Sequence, residues 1–249
     1  KYSGSTDVSD HERIRSPEAA IKATKRLCEL ADRYKRRLQI LHLTTQEETE
    51  FLRELKSPFV TTEACVQHFL LHGEGLYDRL GTFAQINPPL REDSRHAEAI
   101  WAGLMDSTIG MVVTDHAPHL VEEKKQPFGK APSGMPGVET SLSLMLNLVN
   151  QGKCSLEQVV QWMCHGPAAT YNVEKRGSLR VGNWADLTSV DMNASRRIES
   201  GKLNTKSNWS AFDGWNVQGL PLMTFVNGQL VYREGDFFES VKGQEVRLT

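Results

Sequence analysis

The chain has 249 residues, 39% hydrophobic and 24% charged, enough for one large globular domain or a barrel-sized domain with a small appendage. Lysine and arginine total 29 against 31 aspartates and glutamates, a net charge of -2, so charge offers no case for nucleic acid or an acidic membrane as partner. No apolar run approaches the roughly 18 residues of a membrane span, and no signal peptide is visible. The four cysteines, Cys28, Cys65, Cys154 and Cys164, show no Cys-x-x-Cys spacing. That argues against a disulfide framework or a zinc knuckle and for reduced, mostly buried thiols in a cytoplasmic protein.

The chain opens at Lys1 in a polar stretch, Tyr2 to Asp7, that reads as the interior of a loop in something longer. Ser16-Pro17-Glu18 predicts a helix start, with a serine cap, proline in the first turn and an acid at the positive dipole end. That helix runs to about Arg36. Leu38 to Leu43 reads as a buried strand, followed by a helix over Glu47 to Leu55 capped by Thr44 or Thr45. Phe59 to Thr62 is strand-like, as is Phe83 to Ile86 before Pro88-Pro89. A helix capped by Asp93 or Ser94 follows to Met105, then a β-branched strand, Ile109 to Thr114, and a helix over Val138 to Leu148. Ser155 and Gln158 form a capping box for an amphipathic helix carrying Leu156, Val159, Val160 and Met163. Strands alternating with helices predict βα units on a parallel sheet.

After Gly166 glycines punctuate short strand-like pieces such as Ala185 to Val190 and Leu222 to Val226. Asn227-Gly228 between Val226 and Gln229-Leu230 predicts a type I′ hairpin. The expected domains are therefore 1–165, made of βα units, and 166–249, a small β module.

Polar residues at the C-terminal ends of strands are where βα barrels build active sites. His42 ends the first strand, with Leu41 and Leu43 expected to face the helix layer. His68 follows the second strand and Asp115 the last. Two imidazoles and a carboxylate suit zinc, although His42 taken singly is equally a hydrogen-bonded core histidine. Of the other histidines, His11 reads as a loop residue, His72, His96 and His165 as surface or interface residues, and His116 as a donor to a group that supports the site or as a residue packed under it. The tryptophans read as core and β-module residues.

Thr114-Asp115-His116-Ala117-Pro118-His119, with Lys124 after four intervening residues, resembles a signature of dihydroorotases. Asn87-Pro88-Pro89-Leu90-Arg91, Gly137-Val138-Glu139-Thr140 and His11-Glu12-Arg13-Ile14-Arg15 resemble the same family, so the similarity covers practically the whole chain. Val113 stands where the family usually has glycine or alanine, and Ser133 where it often has phenylalanine. The resemblance implies an α/β fold: the C-terminal half of a metallo-dependent-hydrolase TIM (β/α)8 barrel plus a small β-sandwich module, partly completed by strands upstream. It implies His42 and His68 as ligands of one of two zinc ions, Asp115 as ligand of the other and as catalytic proton shuttle, and Asn87, His119, Ser133 and Gly134 as substrate contacts. The implied reaction is the reversible hydrolysis and cyclisation of dihydroorotate and N-carbamoyl-aspartate in pyrimidine biosynthesis.

The family's His-x-His pair, and the arginine that follows it, are absent from this sequence. Four strand candidates are countable, half a barrel, so the remaining zinc ligands are expected upstream of Lys1 and this piece alone is expected to be inactive. Its partners would be the small-molecule substrate, further copies in a homo-oligomer, and an N-terminal half as a separate chain or an aspartate transcarbamoylase. The competing readings are an allantoinase- or hydantoinase-type cyclic amidohydrolase, and a non-catalytic dihydroorotase-like subunit scaffolding aspartate transcarbamoylase.

Overall fold

The computed structural model describes residue 2 and residues 4–248; the loop reading at Lys1 and Ser3 lies outside the described residues. Two compact units divide the chain. One comprises Lys1–Glu139 with Ile198–Asp213, the other Thr140–Arg197 with Gly214–Thr249.

In the first unit, α1 (Asp10–Ile14) leads into α2 (Pro17–Tyr34), capped by the Ser16 side chain accepting from the Ala19 amide. Strand β1 (Leu38–Ile40) is followed by α3 (Gln46–Leu55), where Thr45 takes the capping role by accepting from the Glu48 amide. Strand β2 (Val60–Cys65) runs directly into α4 (Val66–Leu70), then α5 (Leu76–Leu80). Helix α6 (Ser94–Met105), capped by Asp93, leads to β3 (Met111–Val113). The three strands pair in parallel in the order β1-β2-β3, with Leu38 opposite Val60 and Glu63 opposite Met111. Ile40, Ala64, Cys65, Met111 and Val112 are buried in this sheet, and Ile100 and Leu104 are the buried face of α6. At Gly103 an added Cβ would lie 2.8 Å from the Thr49 side chain, so α6 approaches α3 closely there.

Two local expectations fail. Phe83 to Ile86 is no strand: Gly81–Ala84 forms a 3-10 turn, and the backbone beyond it bonds to other groups. The Gln85 carbonyl accepts from the Gly134 amide (3.0 Å) and from Lys124 Nζ (2.9 Å), and the Ile86 carbonyl from His11 Nε2 (2.7 Å). A backbone whose acceptors are filled by side chains and a loop has none left for a ladder. Strand β1 also stops short, because His42 adopts a φ of +37°. Leu41 is consequently 49% exposed and leaves the expected alternation, while Leu43 is buried and rejoins the pairing through its amide to the Glu63 carbonyl (2.9 Å).

Helix α7 (Val121–Lys124) completes the βα portion of this unit. The second unit contains most of α8 (Val138–Asn150), α9 (Leu156–Val160), a π-helical turn over Gln161–His165, and α10 (Gly166–Thr170). The Ser155–Gln158 capping box forms as expected, but Leu156 and Val160 are each 38% exposed, and Val159 and Trp162 carry the buried face. Strands β4 (Leu187–Arg197), β5 (Asn216–Val226), β6 (Gln229–Arg233) and β7 (Asp236–Phe237) make one antiparallel sheet in that order. Asn227 (φ +51°) and Gly228 (φ +80°) form the β5–β6 turn, the left-handed pair that a type I′ hairpin requires.

Within the second unit β5 lies against α8 at Gly219, where φ is +101° and a Cβ would fall 2.5 Å from the Leu146 Cβ. Asn150 Nδ2 fastens the same contact by donating to the carbonyls of Met192 and Gln218, both at 2.9 Å. Gly219→Ala should therefore cost about 2 kcal/mol from a strained backbone and an overfilled contact, read as a lower urea midpoint at unchanged slope.

Candidate active site

All three strands of the parallel sheet end on one edge, and the expected metal ligands lie just beyond it. His42 comes two residues after β1, His68 is in the turn of α4 that extends β2, and Asp115 comes two residues after β3. Both His42 (φ +37°) and Asp115 (φ +44°) hold left-handed backbone, a conformation non-glycine residues adopt at a cost of order 1–3 kcal/mol and mostly at functional sites.

His68 is buried, and its Nε2 lies 3.1 Å from the Pro88 carbonyl. A carbonyl only accepts, so Nε2 carries the proton and Nδ1 is left with a lone pair. Burial pushes the imidazole pKa down to about 3, with the nearby His42 a lesser cause, so the ring is neutral at physiological pH. Nδ1 of His68 and Nδ1 of His42 are both buried with no hydrogen-bond partner. Two buried imidazole nitrogens without hydrogen-bond partners, on rings near enough for His42 to act on His68, form a donor set that fits a borderline metal ion. Asp115 does not converge with them: among the described residues no three of histidine, cysteine, aspartate and glutamate form a metal-binding group.

Asp115 instead lines a cavity of about 170 Å³ together with Gln67, Asn87, Ala117, Ser133 and Gly134. Asn87 also borders a wider cleft of about 640 Å³ whose lining includes His42, Glu48 and Arg91. The structure thus gathers Asp115, Asn87, Ser133 and Gly134 around one space and puts His42 on another that shares Asn87. His119 lines neither, but its Nε2 lies 3.3 Å from the Ser133 carbonyl, which ties it to the same loop. The two loops are stitched by a parallel bridge between His116 and Met135 and by the Ala117 amide to the Met135 carbonyl (3.1 Å). Gly134 (φ +146°) permits this approach, since a Cβ there would meet the Ala117 carbonyl at 2.5 Å.

Several supporting residues lie where the sequence reading did not put them. His11 is buried in α1, not in a loop, and its bond to Ile86 braces the residue before Asn87. In the same helix the Glu12 carbonyl accepts from Arg91 (2.9 Å) and its carboxylate from the Glu92 amide (3.1 Å), so α1 clamps both ends of the Ile86–Glu92 segment. His96 is buried, not at the surface: its Nδ1 accepts from the Gln46 amide (3.0 Å) and so caps α3, and burial lowers its pKa. His116 is exposed and acts as an acceptor, its Nδ1 taking the amides of Gly137 (3.1 Å) and Val138 (3.3 Å) at the start of α8. His72 and His165 are exposed as expected. All four cysteines are free, Cys28 and Cys65 buried, Cys154 half-buried and Cys164 exposed.

Among the described residues no helix is long and apolar enough to cross a membrane. The amidohydrolase family profile matches residues 7–231. A dihydroorotase of Halobacterium salinarum is 36% identical over 242 residues, 97% of this chain and 56% of that protein. One from Endomicrobium trichonymphae is 39% identical over 219 residues, 87% of this chain and 51% of that protein. The L-hydantoinase (dihydropyrimidinase) of Arthrobacter aurescens superposes with a TM-score of 0.90 at 30% identity, covering 98% of this chain and 55% of that one. The chain thus spans about half the length of the curated relatives it matches. With a parallel βα sheet, polar groups gathered on its C-terminal edge and a family match over most of its length, this chain belongs to the amidohydrolase family.

Proposed function

We propose that this chain is the C-terminal part of a dihydroorotase, a cyclic amidohydrolase that opens dihydroorotate to N-carbamoyl-aspartate and closes it again in pyrimidine biosynthesis. The observation that carries the reading is the pair of buried, unpartnered Nδ1 nitrogens of His42 and His68, together with Asn87, which lines both the cleft that holds His42 and the cavity that holds Asp115, Ser133 and Gly134. Dihydroorotase relatives at 36% and 39% identity support this substrate over others. Domain limits at 1–165 for the barrel portion and 166–249 for the β module belong to the same proposal. So do a cytoplasmic location, a homo-oligomer, and an N-terminal half or an aspartate transcarbamoylase as protein partner.

The metal is zinc in this reading, two ions in the complete site, with the ligands this sequence lacks supplied from outside it. Bound zinc supplies a Lewis acid for the ring carbonyl and lowers the pKa of water towards about 7. His42 and His68 would hold it, each offering an unpartnered Nδ1, and the Pro88 carbonyl fixes the His68 tautomer that leaves Nδ1 free for that role. Asp115 accepts the proton of the attacking water and returns it to the amide nitrogen as the ring opens. Asn87, His119 and the Ser133–Gly134 backbone orient the substrate's polar edge.

A hydantoinase reading has one observation in its favour, the superposition on the L-hydantoinase. Turnover of dihydroorotate, hydantoin and allantoin by the complete protein distinguishes them, with dihydroorotate expected to win. A non-catalytic scaffolding role predicts no turnover of any.

In the complete protein His42→Ala should lower bound zinc, and Asp115→Asn should cut kcat by about three orders of magnitude with KM little changed. Retained activity in Asp115→Asn would remove the proton-shuttle role. This chain alone should bind zinc weakly and hydrolyse dihydroorotate at a small fraction of the full rate.

The His68 reading has its own pH test in the zinc-free protein. Its folded pKa of about 3 lies below the ordinary 6.5, so the unfolded chain takes up the proton first as the solution is acidified. The stability this neutral ring contributes is complete above pH 6.5 and is lost as pH falls towards 3, about 2 kcal/mol of it by pH 5. His68→Asn should flatten the urea midpoint between pH 7 and 5; an unaltered slope would rule out a neutral buried His68.

A further inference from the structure

Lys124, the last residue of α7, is completely buried, which a lysine tolerates only when its charge is well satisfied. Its Nζ donates to the carbonyls of Gln85 (2.9 Å), Pro132 (2.9 Å) and Gly134 (3.0 Å). An ammonium has three N–H groups, and here each meets a carbonyl. A neutral amine has only two and would turn a lone pair towards the third oxygen. Burial lowers the pKa only to about 8, so the ammonium form prevails at neutral pH.

This tripod is the centre of a larger frame. Gln85 answers it with Nε2, which donates to the Ala131 carbonyl (2.9 Å) and reaches Ser133 Oγ (3.2 Å), while its carbonyl also receives the Gly134 amide. The Trp209 ring lies over the ammonium, 5.8 Å from Nζ to its centroid, and packs edge-on against Phe83. Trp209 Nε1 donates to the His119 carbonyl at 2.7 Å. Thr82 Oγ1 donates to the carbonyl of Lys124 itself. One buried cation and the indole above it therefore fasten the backbone on both sides of Ser133, at Pro132 and Gly134, and at His119.

We propose that Lys124 and Trp209 are positioning residues for substrate binding, holding the His119 and Ser133–Gly134 backbones in one fixed arrangement relative to Asn87 without touching the substrate. The inference rests on the reading of those four residues as substrate contacts. Its consequence is specific to binding: loosening the frame misplaces groups that orient the ring and leaves the proton shuttle at Asp115 in place, because Asp115 directly follows β3 and the bonds of His116 to Gly137 and of Ala117 to Met135 anchor the same loop between it and His119. KM therefore moves more than kcat.

The test measures dihydroorotate hydrolysis by the complete zinc-loaded protein, with zinc content and thermal melting as checks. Lys124→Met should raise KM about tenfold or more while kcat per bound zinc stays within about threefold. A purely structural lysine would instead reduce the active fraction, lowering apparent kcat at constant KM, and that result overturns the proposal. Should Lys124→Met fail to fold, Trp209→Phe carries the test, because it keeps a ring over the ammonium and loses only the N–H to His119. A KM rise of about threefold with kcat retained supports the proposal, and an unchanged KM overturns it. A wild-type protein inactive on dihydroorotate removes the substrate reading and the inference together, whereas an active wild type with unmoved KM in the variants sinks the inference alone.

Discussion

In a parallel sheet every strand hands over its chain at the same edge, and here β1, β2 and β3 deliver their next residues to one rim. That rim is where backbone amides and carbonyls run out of ladder partners, so it is where side chains with unsatisfied chemistry are tolerated. His42 and Asp115 depart from it in left-handed backbone and His68 from the helical turn that extends β2. The position of those three residues depends on how the loops around that rim are braced.

The bracing is polar, and it works through buried or half-buried oxygens that each receive a donor from a distant part of the chain. The Gln85 carbonyl takes an amide and an ammonium, and the Glu12 main-chain and side-chain oxygens take Arg91 and the Glu92 amide. Such networks specify one backbone path because any shift leaves a buried polar group unpaired, at a cost of about 1–3 kcal/mol each. The Nδ1 atoms of His42 and His68 are the contrasting case, buried and unpaired.

Much of this was legible in the sequence. The caps at Ser16, Thr45, Asp93 and Ser155 form where side-chain oxygens precede apolar periodicity, because capping is a local interaction. The Asn227-Gly228 turn was equally local. Phe83 to Ile86 was misread because its composition suits a strand, while its actual partners, Gly134, Lys124 and His11, lie tens of residues away and carry no periodicity. His11 and His96 were misplaced for the same reason: a buried histidine is defined by what accepts or donates across the fold, not by its neighbours in sequence. Lys124 was visible as part of a motif, yet its neighbourhood of carbonyls was not. Asp115 and His68 follow strands, which the sequence makes plain, but their separation into a cavity wall and an imidazole pair is a matter of three dimensions.

The left-handed backbone at His42 and Asp115 also acts as a filter on heredity. At φ values of +37° and +44°, asparagine, aspartate, histidine and glycine are accommodated, whereas valine, isoleucine and threonine would meet their own main chain. Drift at these two positions is thus channelled towards residues that are themselves short and polar, and a descendant that lost the chemistry could keep the fold by taking asparagine at either place. The backbone at these two strand ends thus limits which side chains can stand there, whatever chemistry they carry.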